Sequence, residues 1–236
     1  FESYQMREFE ILLGLEDADR IGGMDPLETF RRMAKRGEEH REVLAKLEDA
    51  SSRPSLAESL MLWVERTPIM GSVFGSDNDQ ESVMQYVDSH LEAHKGICDA
   101  ASGSSEMMAA RMKASHESAI SFLKPDGVPS RMRAGLLFIE SYRELPLLAW
   151  PRKLIDAIVE LEESMVKWRH SHARMVERIM GRRIGTGGTS GVDYLDATSE
   201  YRIFKDLWAV RTILVKPQMR PELVNSEFYG YHSTNE

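Results

Sequence analysis

Apolar residues in this chain recur at steps of three and four, the spacing that lines one side of a helix. From Ser3 to Leu15 the residues Met6, Phe9, Leu12 and Leu13 share such a side, and Ser130 to Arg143 repeats the pattern through Leu136, Leu137 and Ile139. Runs of β-branched residues alternating with polar ones, as a half-buried strand requires, are hard to find, and glycine and proline are sparse before residue 180. The class expected is all-α: one helical domain, residues 1–236, of long antiparallel helices.

Capping chemistry places the joints. Gly14 and the pair Gly22-Gly23 loosen the chain, and Asp25-Pro26-Leu27-Glu28 then reads as the start of a helix running to about Leu47. Ser55-Leu56-Ala57-Glu58 is a second capping box, opening a short helix that Thr67-Pro68 closes. Two polar, charge-rich helices follow from Asp79 to Ala101 and from Ser105 to Leu123, and Lys124-Pro125-Asp126-Gly127 is a turn. Pro151, at a first-turn position, opens a long helix that ends at Gly181.

That last helix draws attention because its large apolar positions form a ladder through Leu154, Ile158, Leu161, Met165, Trp168, Met175 and Ile179 with one rung replaced. The replaced rung is His172, which places an imidazole in register with the expected buried seam. Spacing alone leaves open a core histidine bonded to a carbonyl and a metal ligand. Beyond the helix comes Gly185-Thr186-Gly187-Gly188-Thr189-Ser190-Gly191, whose glycines let backbone N–H groups approach a bound molecule closely. It lacks the Lys-Ser or Lys-Thr of a P-loop and the preceding strand of a dinucleotide site; a flexible linker remains the competing reading.

Composition narrows the class further. Of 236 residues, 42% are hydrophobic and 29% charged, with a net charge of -8 and bases interleaved with acids, which argues against a nucleic-acid surface. No apolar run approaches the roughly 18 residues of a membrane span. The single Cys98 and the lack of a visible signal peptide favour a reducing cytoplasm, while a start at Phe1 inside a helix suggests a segment upstream. His90-Leu91-Glu92-Ala93-His94 puts two imidazoles at i and i+4, the spacing of a non-heme metal site, but the glutamate is misplaced for a zinc protease motif. A solvated helix face is the default expectation for both histidines.

The block Trp168-Arg169-His170-Ser171-His172, Met175-Val176-Glu177-Arg178, Gly181, the glycine loop and Tyr194-Leu195 resembles the tryptophan 2,3-dioxygenase family. Phe1 to Gly14, Trp63 to Pro68, Ser130 to Arg178 and Tyr201 to Pro217 carry the likeness through most of the chain; it is weakest from Leu15 to Ser55 and from Ser72 to Val128. The resemblance implies a homotetrameric heme b enzyme that inserts both atoms of O2 across the indole C2–C3 bond of L-tryptophan, giving N-formylkynurenine. By the same likeness His172 is the axial iron ligand, Arg7 pairs with the substrate carboxylate, and Thr186 contacts its ammonium and carboxylate groups beside Gly187. Tyr4, one turn before Arg7, is placed to add a hydroxyl, and Trp168 and Arg169 are packing or heme-propionate neighbours. On the residues alone, Arg7 reads instead as an ion-pair partner of Glu10.

Glu2 and Thr189 depart from the glutamine and serine usual in the family, whose distal-pocket histidine lies upstream of Phe1. Two alternatives stay open at the level of sequence: a heme monooxygenase of the same fold yielding a 2-oxindole, and a helical scaffold without activity.

Overall fold

The structure is a computed structural model that describes residues 3–15, 27–103, 105–181, 192–199, 201–223 and 225–230. Its helices are α1 (Ser3–Leu13), α2 (Glu28–Ala34), α3 (Glu38–Ser51), α4 (Leu56–Glu65), α5 (Asp79–Ala101), α6 (Glu106–Leu123), α7 (Arg131–Ser141), α8 (Pro146–Met180), α9 (Val192–Ser199) and α10 (Lys205–Ala209). Single 3-10 turns follow at Val210–Ile213, Pro217–Met219 and Ser226–Tyr229. Among the described residues there is no strand, only an isolated bridge between Ile69 and Ser72, so the all-α expectation holds. The chain gathers into two compact units, one of residues 1–60 and 158–204, the other of residues 61–157 and 205–236.

In the first unit α1 and α2 pack on α3. The single helix expected up to Leu47 is interrupted: α2 ends at Ala34 and α3 begins at Glu38 after the extended Gly37. Physically, Arg31 and Arg32 suit the carboxyl end of one helix dipole, and Glu38 and Glu39 suit the amino end of the next. Asp25 and Pro26 lie outside the described residues. At the start of α4 the capping box forms as expected: the Ser55 N–H donates to Glu58 Oε2 at 2.7 Å, and the Glu58 N–H donates to Ser55 Oγ at 3.2 Å. Gly14 turns out of α1 with φ +104°, and a Cβ there would lie 2.8 Å from the Ala57 Cβ.

Helix α8 departs from expectation twice. It begins at Pro146, leaving Pro151 in its interior, where the Leu147 carbonyl loses its intrahelical donor. Leu147 is exposed, so water can take that role. Second, the buried positions after Ala157 are Ile158, Val159, Glu162, Met165, Arg169 and Ala173, whereas Trp168, Met175 and Ile179 are 41%, 51% and 74% exposed. The apolar ladder therefore leaves the core after Met165, and His172 lies half-buried at its edge instead of on the seam. The core side carries ionisable groups because each meets a partner there. Glu162 Oε1 accepts the N–H of Ile203 at 2.5 Å and of Phe204 at 2.9 Å, and Arg169 donates to Glu10.

In the second unit α5 and α6 form an antiparallel hairpin, in which His94 meets His116 and Lys124 pairs with Asp88 near the other end. Helix α7 is buried from Ala134 through Glu140, with Ser130 capping the Arg133 N–H. Gly135 allows the closest approach: a Cβ there would lie 2.6 Å from the Val64 carbonyl oxygen. Tyr86, Phe138, Tyr142 and Tyr229 form the aromatic centre of this unit, Phe138 and Tyr142 having ring centroids 4.6 Å apart. Two of the hydroxyls reach backbone: Tyr142 donates to the Pro221 carbonyl at 2.6 Å and Tyr229 to that of Pro68 at 2.9 Å.

Candidate functional site

The first unit brings together α1, which holds Tyr4 and Arg7, and the half of α8 that holds His172. Both Tyr4 and Arg7 are half-buried on α1, one turn apart. Arg7 Nη1 lies 3.0 Å from Glu10 Oε2, three residues on along the helix. Glu10 uses its other oxygen, Oε1, to accept from Arg169 Nη2 at 2.9 Å. Arg169 is only 3% exposed and stands three residues before His172. One carboxylate thus ties the helix of Arg7 to the helix of His172. In the sequence the Arg7–Glu10 pair stands only as a rival use of Arg7, and no local spacing marks the link from residue 10 to residue 169.

Around His172 the chemistry is apolar. The imidazole lies parallel to the Trp168 indole, with ring centroids 5.0 Å apart and an interplanar angle of 4°. Trp168, Met175 and Ile179 lie one or two turns from it on the same flank and are exposed, an arrangement that leaves a nitrogen donor bordered by open apolar surface. A flat, largely apolar macrocycle carrying a metal suits that donor and that surface, so the residues present fit heme. Thr186 and Gly187, with the rest of the loop Gly185 to Gly191, lie outside the described residues. The helix before that loop ends at Gly181, with φ +65°, and the chain resumes at the buried Val192 of α9. There Asp196 pairs with Arg174 of α8, which also meets Glu177 at 2.5 Å.

His90 and His94 correct the expectation of a solvated face: they are 0% and 6% exposed. His90 shares a hydrogen bond of 2.9 Å between its Nε2 and the Ile213 carbonyl, so its neighbour is backbone. His94 stacks on His116 with their Nδ1 atoms 3.3 Å apart, and the Cys98 thiol lies 3.6 Å from His94 Nδ1. Burial holds both His90 and His94 below the usual histidine range, and the neighbouring His116 pushes His94 further the same way. Their i, i+4 spacing turns both into the hairpin and the 3-10 turn instead of toward water. Among the described residues no group of three His, Cys, Asp or Glu converges on a metal position. Nor is any described helix long and apolar enough to cross a membrane.

Comparison with known proteins identifies the family. The family model described as tryptophan 2,3-dioxygenase matches residues 1–214. A tryptophan 2,3-dioxygenase-like protein of Xanthomonas campestris pv. campestris is 40% identical over 264 residues, covering 98% of this chain and 91% of its own length. A tryptophan 2,3-dioxygenase of Sorangium cellulosum and tryptophan 2,3-dioxygenase 2 of Ralstonia nicotianae are also each 40% identical over 98% of this chain. The chain spans 60% and 67% of the lengths of those two proteins.

Proposed function

The chain belongs to the tryptophan 2,3-dioxygenase family, and from that premise we propose that it uses heme b and O2 to cleave the indole C2–C3 bond of L-tryptophan or a close analogue, giving N-formylkynurenine. The observation that carries this reading is the union, in one unit, of a half-buried His172 on an open apolar flank with an arginine tied to the same helix through Glu10. His172 would hold the iron through an imidazole nitrogen. Heme, once bound, supplies O2 binding and the redox chemistry that the side chains lack.

The chain's own residues bind and orient. Arg7 offers a planar fork of donors to the substrate carboxylate, and Tyr4, one turn away, offers a hydroxyl to the same group. Thr186 presents a hydroxyl and a backbone N–H to the amino-acid end, with Gly187 allowing close approach. Fixing that end determines where the indole ring lies, and fixed placement removes much of the entropic cost of reaction. The family's assembly suggests a homotetramer, and the lone reduced Cys98 a cytoplasmic setting.

The test is incubation of the heme-loaded protein with L-tryptophan under labelled O2. Two labelled atoms in N-formylkynurenine are expected. A single labelled oxygen in an oxindole would overturn the dioxygenase reading in favour of a monooxygenase.

A further inference from the structure

Glu10 has a chemistry of its own that the site does not require of a simple surface acid. Its side chain is largely buried, and it gives one oxygen to each of two arginines, Arg7 on its own helix and Arg169 on α8. We propose that Glu10 is a positioning residue for substrate recognition: by holding Arg7 to Arg169, it fixes the direction in which Arg7 meets a carboxylate-bearing substrate, relative to the helix of His172. This rests on the reading above that Arg7 binds the substrate carboxylate.

The physical reason lies in the two oxygens. A carboxylate has acceptors on both, so it can serve two guanidiniums at once. An amide of the same shape has one acceptor and one NH2 donor, and an NH2 facing a guanidinium sets donor against donor. Glu10→Gln therefore keeps the volume but can bridge only one of the two arginines. Arg169 is the more deeply buried of the two arginines, 3% exposed against 14% for Arg7, so the change in direction falls on Arg7. The role of Glu10 is thus in binding the amino-acid end, upstream of the chemistry, and its loss belongs in KM.

The experiment compares L-tryptophan with tryptamine, which lacks the carboxylate, as substrates of the heme-loaded full chain. In Glu10→Gln the KM for L-tryptophan is expected to rise about tenfold, the scale of one charged hydrogen bond, with kcat changed less than about twofold. The preference in kcat/KM for L-tryptophan over tryptamine should shrink by the same factor, and the Soret band should stay unchanged. Arg7→Met is the reference variant. If it leaves the preference intact, the assignment of Arg7 to the carboxylate fails; if it abolishes the preference and Glu10→Gln does not alter it, the role of Glu10 fails while that of Arg7 stands. Equal losses toward both substrates with reduced heme uptake would show a merely structural glutamate and overturn the proposal. Should Glu10→Gln fail to fold, Arg169→Met, which removes the charged donor to Glu10 Oε1, is expected to show the same loss of preference, and an unchanged preference there overturns it.

Discussion

The Trp168 indole and the His172 imidazole lie face to face, with planes within 4° and centroids 5.0 Å apart, one helical turn apart on α8. The indole restricts the rotation of the imidazole about its side-chain bonds and shields one ring face. His172→Ala is expected to abolish heme uptake, seen as loss of the Soret band on titration with hemin. Trp168→Ala should bind heme several-fold more weakly while melting within about 1 kcal/mol of the parent, since Trp168 is partly exposed and its loss leaves little cavity. Trp168→Phe should restore most of the affinity. Parent-like hemin affinity in Trp168→Ala would show that the stack has no part in heme uptake.

The buried histidines of α5 make stability depend on pH. Burial lowers the pKa of His90 and of His94, so the unfolded chain, with histidines near 6.5, binds more protons than the fold just below that pH. Their contribution is therefore present above about pH 6.5 and is lost as the pH falls through the folded values. Melting temperature should decline between pH 7.5 and 5.5, and His94→Asn should flatten the decline. His116→Asn removes the neighbouring charge, so the His94 resonance should titrate at higher pH than in the parent.

Gly135 is a packing constraint. A methyl group there would meet the Val64 carbonyl oxygen at 2.6 Å, a backbone atom that cannot rotate away. Gly135→Ala should cost about 1–3 kcal/mol, the range for overpacking, despite the better helix propensity of alanine. A thermal or urea melt equal to the parent's would refute that.

At the start of α4, Ser55→Ala removes the hydroxyl that accepts the Glu58 N–H. The expected cost is about 1 kcal/mol, measured as a lower urea midpoint at unchanged slope. The parent midpoint in Ser55→Ala would mean that water caps the helix equally well.

Much of the helical layout is written in local signals. Ser55 with Glu58 and Ser130 mark helix starts because their side chains accept unpaired backbone N–H groups, Asp79 puts an acid in the first turn of α5, Ser105 is an extended N-cap residue, and α5 runs over the residues expected. The break at Gly37 was legible too, in the change from Arg to Glu across it, but periodicity carried the expectation past it. What periodicity could not convey is the burial of polar groups. Glu162 and Arg169 occupy the core side of α8 because partners from residues 10, 203 and 204 meet them there, and those partners are distant in sequence. The same blindness placed His90 in water, when the Ile213 carbonyl is its partner. For the site, Arg7 and His172 were named through family likeness, whereas the carboxylate that links their helices emerges only from the fold.

The tie from Glu10 to Arg169 also sets an order of assembly. Its ends are 159 residues apart, whereas His94 and His116, across the α5–α6 hairpin, are separated by 22. At roughly 5–20 residues per second, Arg169 is synthesised about 8–30 s after Glu10, while the hairpin's partners follow one another within roughly 1–4 s. Throughout that interval α1 has emerged without the helix that closes on it. Helix α1 thus waits for a partner that is synthesised late, so a ribosome stalled before residue 169 holds a chain that can close its α5–α6 hairpin but cannot make the bond from Arg169 to Glu10.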